Sequence, residues 1–203
     1  MKKILITGFE PFDKEKINPS EEILKQIDQE LYPCHIHTRL LPVTVNEAGE
    51  MVKEAIESIQ PDYLLSLGLS GRISQIALER IAVNLVDARI PDNNGDQPED
   101  MIINTQGPVA YWSSLPIRTL EKNLKAKGLP IYLSYSAGTY ICNYVMYTAL
   151  DYIEEKELKT KSGFIHVPFL PVQCLEHPLR SSMDLNLLMK MINTVIDTFL
   201  NEP

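Results

Sequence analysis

A chain of 203 residues, 44% of them hydrophobic, is long enough to bury a sizeable core in one domain spanning residues 1–203. Its formal charge of −8 at pH 7 argues against nucleic acid and anionic membrane surfaces as partners, since both are held by basic patches. No apolar run approaches the roughly 20 residues of a membrane span, and three widely spaced cysteines with no Cys-X-X-Cys pair indicate reduced cytoplasmic thiols rather than a disulfide framework.

The predicted elements alternate between strand and helix. The opening Met-Lys-Lys-Ile-Leu-Ile-Thr-Gly is too short in its apolar part for a signal peptide and leads into a strand over Lys3–Thr7. Asn18-Pro19-Ser20-Glu21 reads as a helix start, with Asn at the cap and Pro at the first position, and Ile23, Leu24, Ile27 and Leu31 follow at helical spacing. A strand is predicted over His35–Leu41, and a helix over Val45–Ile59 with Ala48, Met51, Val52, Ala55, Ile56 and Ile59 on one face. Asp62–Leu69 is a third strand, closed by Gly68-Leu-Ser-Gly71, and Ile81–Val86 is a candidate strand. Pro91–Gln106 is polar and aperiodic, a long loop of the kind that often carries function. A helix from Pro116 to Gly128, a strand at Leu129–Tyr135, a helix at Asn143–Glu155, a strand at Gly163–Val167 and a helix near Asp184–Leu200 complete the series. Strands alternating with helices predict an α/β fold with a mostly parallel sheet covered on both faces. Sites in such folds lie outside the carboxyl ends of strands, and the Gly8, Gly68, Ser136 and His166 segments all follow one.

Cys142 falls at the first turn of a predicted helix, where unpaired N–H groups favour thiolate over thiol. That placement suits a nucleophile, although free cysteines are more often buried packing. Cys34, before a strand, and Cys174, in a proline-rich loop, open no helix and read as structural. His166, near the end of a strand, suits a general base that takes the thiol proton and returns it to a leaving amine; the alternative is a core histidine bonded to backbone. His35 and His37 share a strand face but have no third ligand at metal-site spacing, and His177 sits in a polar loop. An imidazole base works best with a carboxylate on its other nitrogen, but spacing alone does not single out one acid.

Five stretches, in order, resemble the pyroglutamyl peptidase I family (cysteine peptidase family C15), also called pyrrolidone-carboxylate peptidase. They are Gly8-Phe-Glu-Pro-Phe12 with Asn18-Pro-Ser20; Glu79-Arg80-Ile-Ala-Val-Asn84; Asp87-Ala-Arg-Ile-Pro-Asp-Asn93 with Gln97-Pro98; Ser136-Ala-Gly-Thr-Tyr-Ile-Cys-Asn143; and Phe164-Ile-His-Val-Pro168. The resemblance implies a three-layer α/β/α sandwich of the phosphorylase/hydrolase-like kind. It also implies a peptidase that removes N-terminal pyroglutamate from peptides with no metal or organic cofactor, and a homo-oligomer, commonly a tetramer. It implies a triad of Glu79, Cys142 and His166, whereas Glu79 read alone is equally a salt-bridged surface acid. It gives Phe9 and Phe12 as a slot for the flat lactam, with Asn18, Thr44, Ile90, Tyr140 and Ile141 around it. By residue type the two phenylalanines also suit a core, and Asn18 is fully explained as a cap. An oxyanion hole made by the Cys142 N–H with Arg89 follows from the same likeness; the alternative for Arg89 is an ion pair with Asp87 or Asp92. Two departures concern the pocket: Tyr140 stands where the family often has Phe, and Gly68-Leu-Ser-Gly71 runs straight to Arg72. Rival readings are a nucleoside phosphorylase-like transferase, for which a Gly-rich phosphate loop is wanting, and a non-catalytic binding module on the same scaffold.

Overall fold

The computed structural model describes residues 1–202. In chain order the elements are β1 (Lys3–Phe9), α1 (Pro19–Gln26), β2 (His35–Leu41), α2 (Val45–Ile59), β3 (Tyr63–Leu69), β4 (Ile76–Glu79), β5 (Ile81–Val83), β6 (Ala110–Trp112), α3 (Ile117–Ala126), β7 (Ile131–Ser134), α4 (Ile141–Glu155), β8 (Lys161–Val167) and α5 (Leu185–Leu200). Six strands form one sheet in the order β2-β1-β3-β8-β4-β7, and β5 pairs with β6 in a small antiparallel ribbon.

Strand geometry dictates the layers. Successive side chains point to opposite faces, so alternate residues of each strand feed two separate cores. Ile4, Ile6, Leu65, Leu67, Ile165, Val167, Ile76 and Leu78 pack with Ile23 of α1, Leu120 and Leu124 of α3, and Leu188, Ile192, Val195 and Phe199 of α5. Leu5, Phe9, Leu64 and Phe164 pack with Val52, Ala55 and Ile56 of α2 and with Val145, Ala149 and Leu150 of α4. The result is the expected three-layer sandwich.

Four differences from the sequence reading have physical causes. β4 was not foreseen: Ile-Ala-Leu-Glu is short and ends on a charge, but all four residues are buried. The candidate strand Ile81–Val86 is only β5. The chain leaves the main sheet at Arg80, and β5 pairs with β6, another short strand that sequence reading missed. The first helix stops at Gln26, because Ile27 is extended and Asp28 caps a separate 3-10 turn at Gln29–Leu31, which leaves Leu31 exposed. Finally, β2, β1, β3 and β8 are mutually parallel, whereas β4 and β7 run the other way against β8. The Ser136 segment therefore leaves the sheet at the end opposite to the Gly8, Gly68 and His166 segments, and Cys142 reaches them only after the chain has looped back through residues 135–140.

Candidate active site

The site is built on the α2/α4 face, from residues that strand register brings together. Gly68 pairs with His166 across the parallel β3–β8 ladder, and Ala77 faces His166 across the antiparallel β8–β4 ladder. Glu79, two residues on from Ala77, points to the same face and is a diagonal neighbour of His166. Its Oε1 lies 2.8 Å from His166 Nδ1. Both side chains are buried, with residue exposures of 2% for Glu79 and 7% for His166. The surface salt bridge considered for Glu79 is thus excluded, and the core-histidine reading of His166 gives way to a carboxylate-bonded imidazole. Glu79 Oε2 has no hydrogen-bond partner among the described residues, so the bond to His166 is the carboxylate's one strong contact.

Burial by itself lowers the pKa of His166, because the imidazolium loses its hydration. The negative charge and bonding capacity of Cys142, then the bond to Glu79 and its charge, reverse that effect and push His166 up to about 10. The raised value favours the imidazolium, with the Glu79 carboxylate against Nδ1 and the cysteine near enough to add to the shift. Such an arrangement can hold a thiolate, deliver a proton to a departing group and take one from water.

Cys142 is the second residue of α4, where the first N–H groups of a helix have no intrahelical acceptor. Its backbone N–H takes no partner among the described residues, which suits it to an oxyanion. The helix start is fixed by Asn143, which is wholly buried. Its Oδ1 accepts from the Val83 N–H at 2.9 Å, and its Nδ2 donates to the carbonyls of Val83 (2.9 Å) and Leu85 (3.0 Å). Asn143 thus ties the cysteine helix to the segment that directly follows Glu79. Sequence reading did not assign this role; an amide at position 143 amid the apolar face of α4 was the available signal.

The other anticipated residues divide into slot, scaffold and loop. Phe12 faces Tyr140, with ring centroids 6.5 Å apart and planes inclined by 47°. Phe9 is 3% exposed, with its ring 6.3 Å from that of Phe164. Ile141 is buried in the same core as Phe9. Asn18 is wholly occupied as a cap: its Oδ1 accepts from the Ser20 N–H and hydroxyl, and its Nδ2 donates to the Glu10 carbonyl. Ser20 Oγ in turn accepts from the Phe9 N–H, which fixes the turn that carries Phe12. Glu10, also unforeseen, accepts from the Val43 N–H and from Asn93 Nδ2, clasping that turn to the 91–93 loop. Thr44 is the N-cap residue of α2.

Arg89 and Ile90 lie on a stretch stapled to the residues before Cys142. The Asp87 N–H donates to the Thr139 carbonyl, Thr139 Oγ1 donates to the Asp87 carbonyl, and the Tyr140 hydroxyl donates to the Pro91 carbonyl at 3.0 Å. Burial, then the nearby charges of Asp92, Cys142 and Asp13, raise the Tyr140 hydroxyl to about 12 and keep it a donor, with Arg89 opposing them. Arg89 is exposed and makes no ion pair among the described residues; Asp92 uses its carboxylate on the N–H groups of Val45, Asn94 and Asp96. Cys34 is buried in the core on the other face of the sheet, and Cys174 is half-buried. Among the described residues no three His, Cys, Asp or Glu side chains gather as a metal site, and no helix is long and apolar enough to cross a membrane.

Comparison with known proteins gives the family and the fold. A family model described as pyroglutamyl peptidase matches residues 2–202. The chain is 43% identical over 194 residues to pyrrolidone-carboxylate peptidase 1 of Caldanaerobacter subterraneus subsp. tengcongensis, covering 96% of each. Among solved structures, a mutant pyrrolidone carboxyl peptidase from the hyperthermophile Pyrococcus furiosus superposes with a TM-score of 0.94 at 42% identity, covering 98% of both chains. Pyroglutamyl peptidase I from Bacillus amyloliquefaciens gives 0.95 at 37% identity, covering 99% of this chain and 96% of that one.

Proposed function

Since the chain belongs to the pyroglutamyl peptidase family and removes N-terminal pyroglutamate from peptides, we propose that it does so with Cys142 as nucleophile, His166 as proton carrier and Glu79 as the group that orients His166. The observation that carries this reading is the buried 2.8 Å contact of His166 Nδ1 with Glu79 Oε1, on an imidazole that Cys142 also raises.

The Cys142 thiolate attacks the carbonyl carbon that joins the lactam to the next residue. Negative charge passes to the carbonyl oxygen, where the Cys142 N–H and Arg89 receive it. The C–N bond breaks as the amine nitrogen takes a proton from the His166 imidazolium, leaving a thioester. Water then gives a proton to His166 while its oxygen bonds the acyl carbon. The C–S bond breaks, free pyroglutamate leaves, and thiolate and imidazolium are restored. Glu79 keeps Nδ1 protonated, so that Nε2 is the nitrogen that works.

The slot accounts for the choice of substrate. Phe12 and Tyr140, inclined by 47° with centroids 6.5 Å apart, form a contacting aromatic pair that offers the lactam an apolar wall. Glutaminyl, glutamyl and prolyl termini bring an ammonium into this space, and burying it there unpaired costs several kcal/mol. The expected discrimination is at least roughly a thousandfold, the ratio that about 4 kcal/mol gives. Comparing kcat/KM on pyroglutamyl, glutaminyl and prolyl chromogenic amides tests this; similar values on all three make the chain a general aminopeptidase. The reading extends to a single cytoplasmic peptidase domain that assembles as a homo-oligomer, as the family resemblance implies.

A further inference from the structure

We propose that Gly68 is a positioning residue for the thiol: the side chain it lacks is the space in which Cys142 Sγ lies beside His166. The proposal rests on the reading of Cys142 as nucleophile. Gly68 is the sixth residue of β3 and pairs with His166, so a Cβ there projects onto the α2/α4 face beside the imidazole. The backbone does not demand glycine, because Gly68, unlike Gly95, Gly128 and Gly138, has no positive φ. What excludes a side chain is the neighbourhood. A Cβ at residue 68 meets Cys142 Sγ at 2.8 Å, Phe164 Cζ at 2.8 Å and Phe164 Cε1 at 3.0 Å.

Phe164 has the least room to yield: it is fully buried, with the Phe9 ring 6.3 Å away and the His166 ring 4.8 Å away. Cys142 sits in the first turn of a helix whose start is held by the three hydrogen bonds of Asn143. An added methyl group therefore displaces the sulfur from the imidazole. Other glycines of the fold are crowded differently: at Gly163 a Cβ meets Ser113 Oγ and the Leu115 side chain, on the opposite face of the sheet and away from the thiol.

The test is Gly68→Ala, read by kcat, KM and the pH dependence of Cys142 alkylation by iodoacetamide, with Gly163→Ala as a crowded control. The expected result for Gly68→Ala is a fall in kcat of about a hundredfold or more, the cost of misplacing a reacting group by roughly 1 Å. KM should stay within about threefold, since the slot is untouched, and the alkylation profile should differ from that of the wild type, because the sulfur has left the imidazole. Folded Gly163→Ala should keep the wild-type profile. Should Gly68→Ala fold poorly, Gly68→Ala/Phe164→Leu is compared with Phe164→Leu alone, and the same loss and the same change of profile are expected. Wild-type kcat and profile in Gly68→Ala overturn the proposal, as does recovery of both in the double variant, because the crowding then acts through Phe164. Loss of activity in Cys142→Ser alongside a normal Gly68→Ala removes this inference alone. An active Cys142→Ser removes the nucleophile, and the inference with it.

Discussion

The two faces of the central sheet are made from alternate residues of the same strands, and both are apolar in part, yet only one carries buried polar and titratable side chains. Toward α1, α3 and α5 the sheet presents Ile4, Ile6, Leu65, Leu67, Ile165, Val167, Ile76 and Leu78, all of them buried and apolar. One residue away along the chain, toward α2 and α4, the same strands present Thr7, Ser66, Gly68, His166 and Glu79. The difference teaches that chemistry here is a one-sided decoration of a stiff scaffold. The apolar face holds the ladder register, and the register sets the Glu79–His166 distance. A buried carboxylate and imidazole are costly to desolvate, and placing both on one face lets each satisfy the other.

The largest expected effect breaks the chemical face without touching the scaffold. Cys142→Ser and His166→Ala should each lower kcat/KM on a pyroglutamyl amide by about a thousandfold or more; Cys142→Ser should unfold near the wild-type temperature at neutral pH, whereas His166→Ala leaves Glu79 buried without its partner and should unfold earlier. Glu79→Gln should fall less far, since the amide can still hold the ring. Near-wild-type activity in Cys142→Ser sinks the assignment.

Leu67→Ala is the converse. Leu67 lies between Ser66 and Gly68 but points to the apolar core and is fully buried. Denaturant titration should show a loss of about 2–5 kcal/mol, while kcat per folded molecule stays within about threefold. A collapse of kcat in protein that remains folded means that the faces are not separable.

Titration of His166 sharpens the comparison further. Its folded pKa is raised, so the stability it contributes is fully present below about 6.5, the ordinary value. That stability is lost as pH rises through about 10, where the folded imidazole titrates. Cys142 is the foremost influence holding it up. In Cys142→Ser the ring should therefore titrate at a lower pH, followed by its NMR signals, and melting temperature should begin to fall earlier as pH rises. An unchanged midpoint shows that cysteine and histidine are not coupled.

The smallest effect is at the rim. Tyr140→Phe keeps the slot but loses the hydroxyl bond to the Pro91 carbonyl. A reduction in kcat/KM of roughly two- to tenfold is expected, the worth of one neutral hydrogen bond at about 0.5–1.5 kcal/mol. A loss approaching that of Cys142→Ser makes the staple more than a local tether.

Cys142 and His166 were legible from the sequence because each has a local signature, a helix start for one and a strand end for the other. Glu79 was not, except through family resemblance. It ends a four-residue strand with no alternation to read, and its partner lies 87 residues away across a ladder. Phe9 and Phe12 sit three apart in a turn, and only the fold reveals that Phe9 faces inward to Phe164 while Phe12 faces Tyr140. The helices were read well because their apolar faces repeat. Strand direction was not, because no single-chain pattern says that β4 and β7 oppose β8.

The sheet order also sets a timetable. β8, residues 161–167, lies between β3 and β4 at the middle of the sheet, although it is made after both and after every other strand. During synthesis the halves β2-β1-β3 and β4-β7 have no ladder joining them until that strand arrives, and the strand that joins them carries His166. A ribosome-bound fragment ending before residue 161 can thus hold Cys142 and Glu79 but neither a continuous sheet nor His166. Such late, long-range closure makes folding slow and leaves the edges of β3 and β4 exposed in the interval, where chaperones or aggregation compete for them.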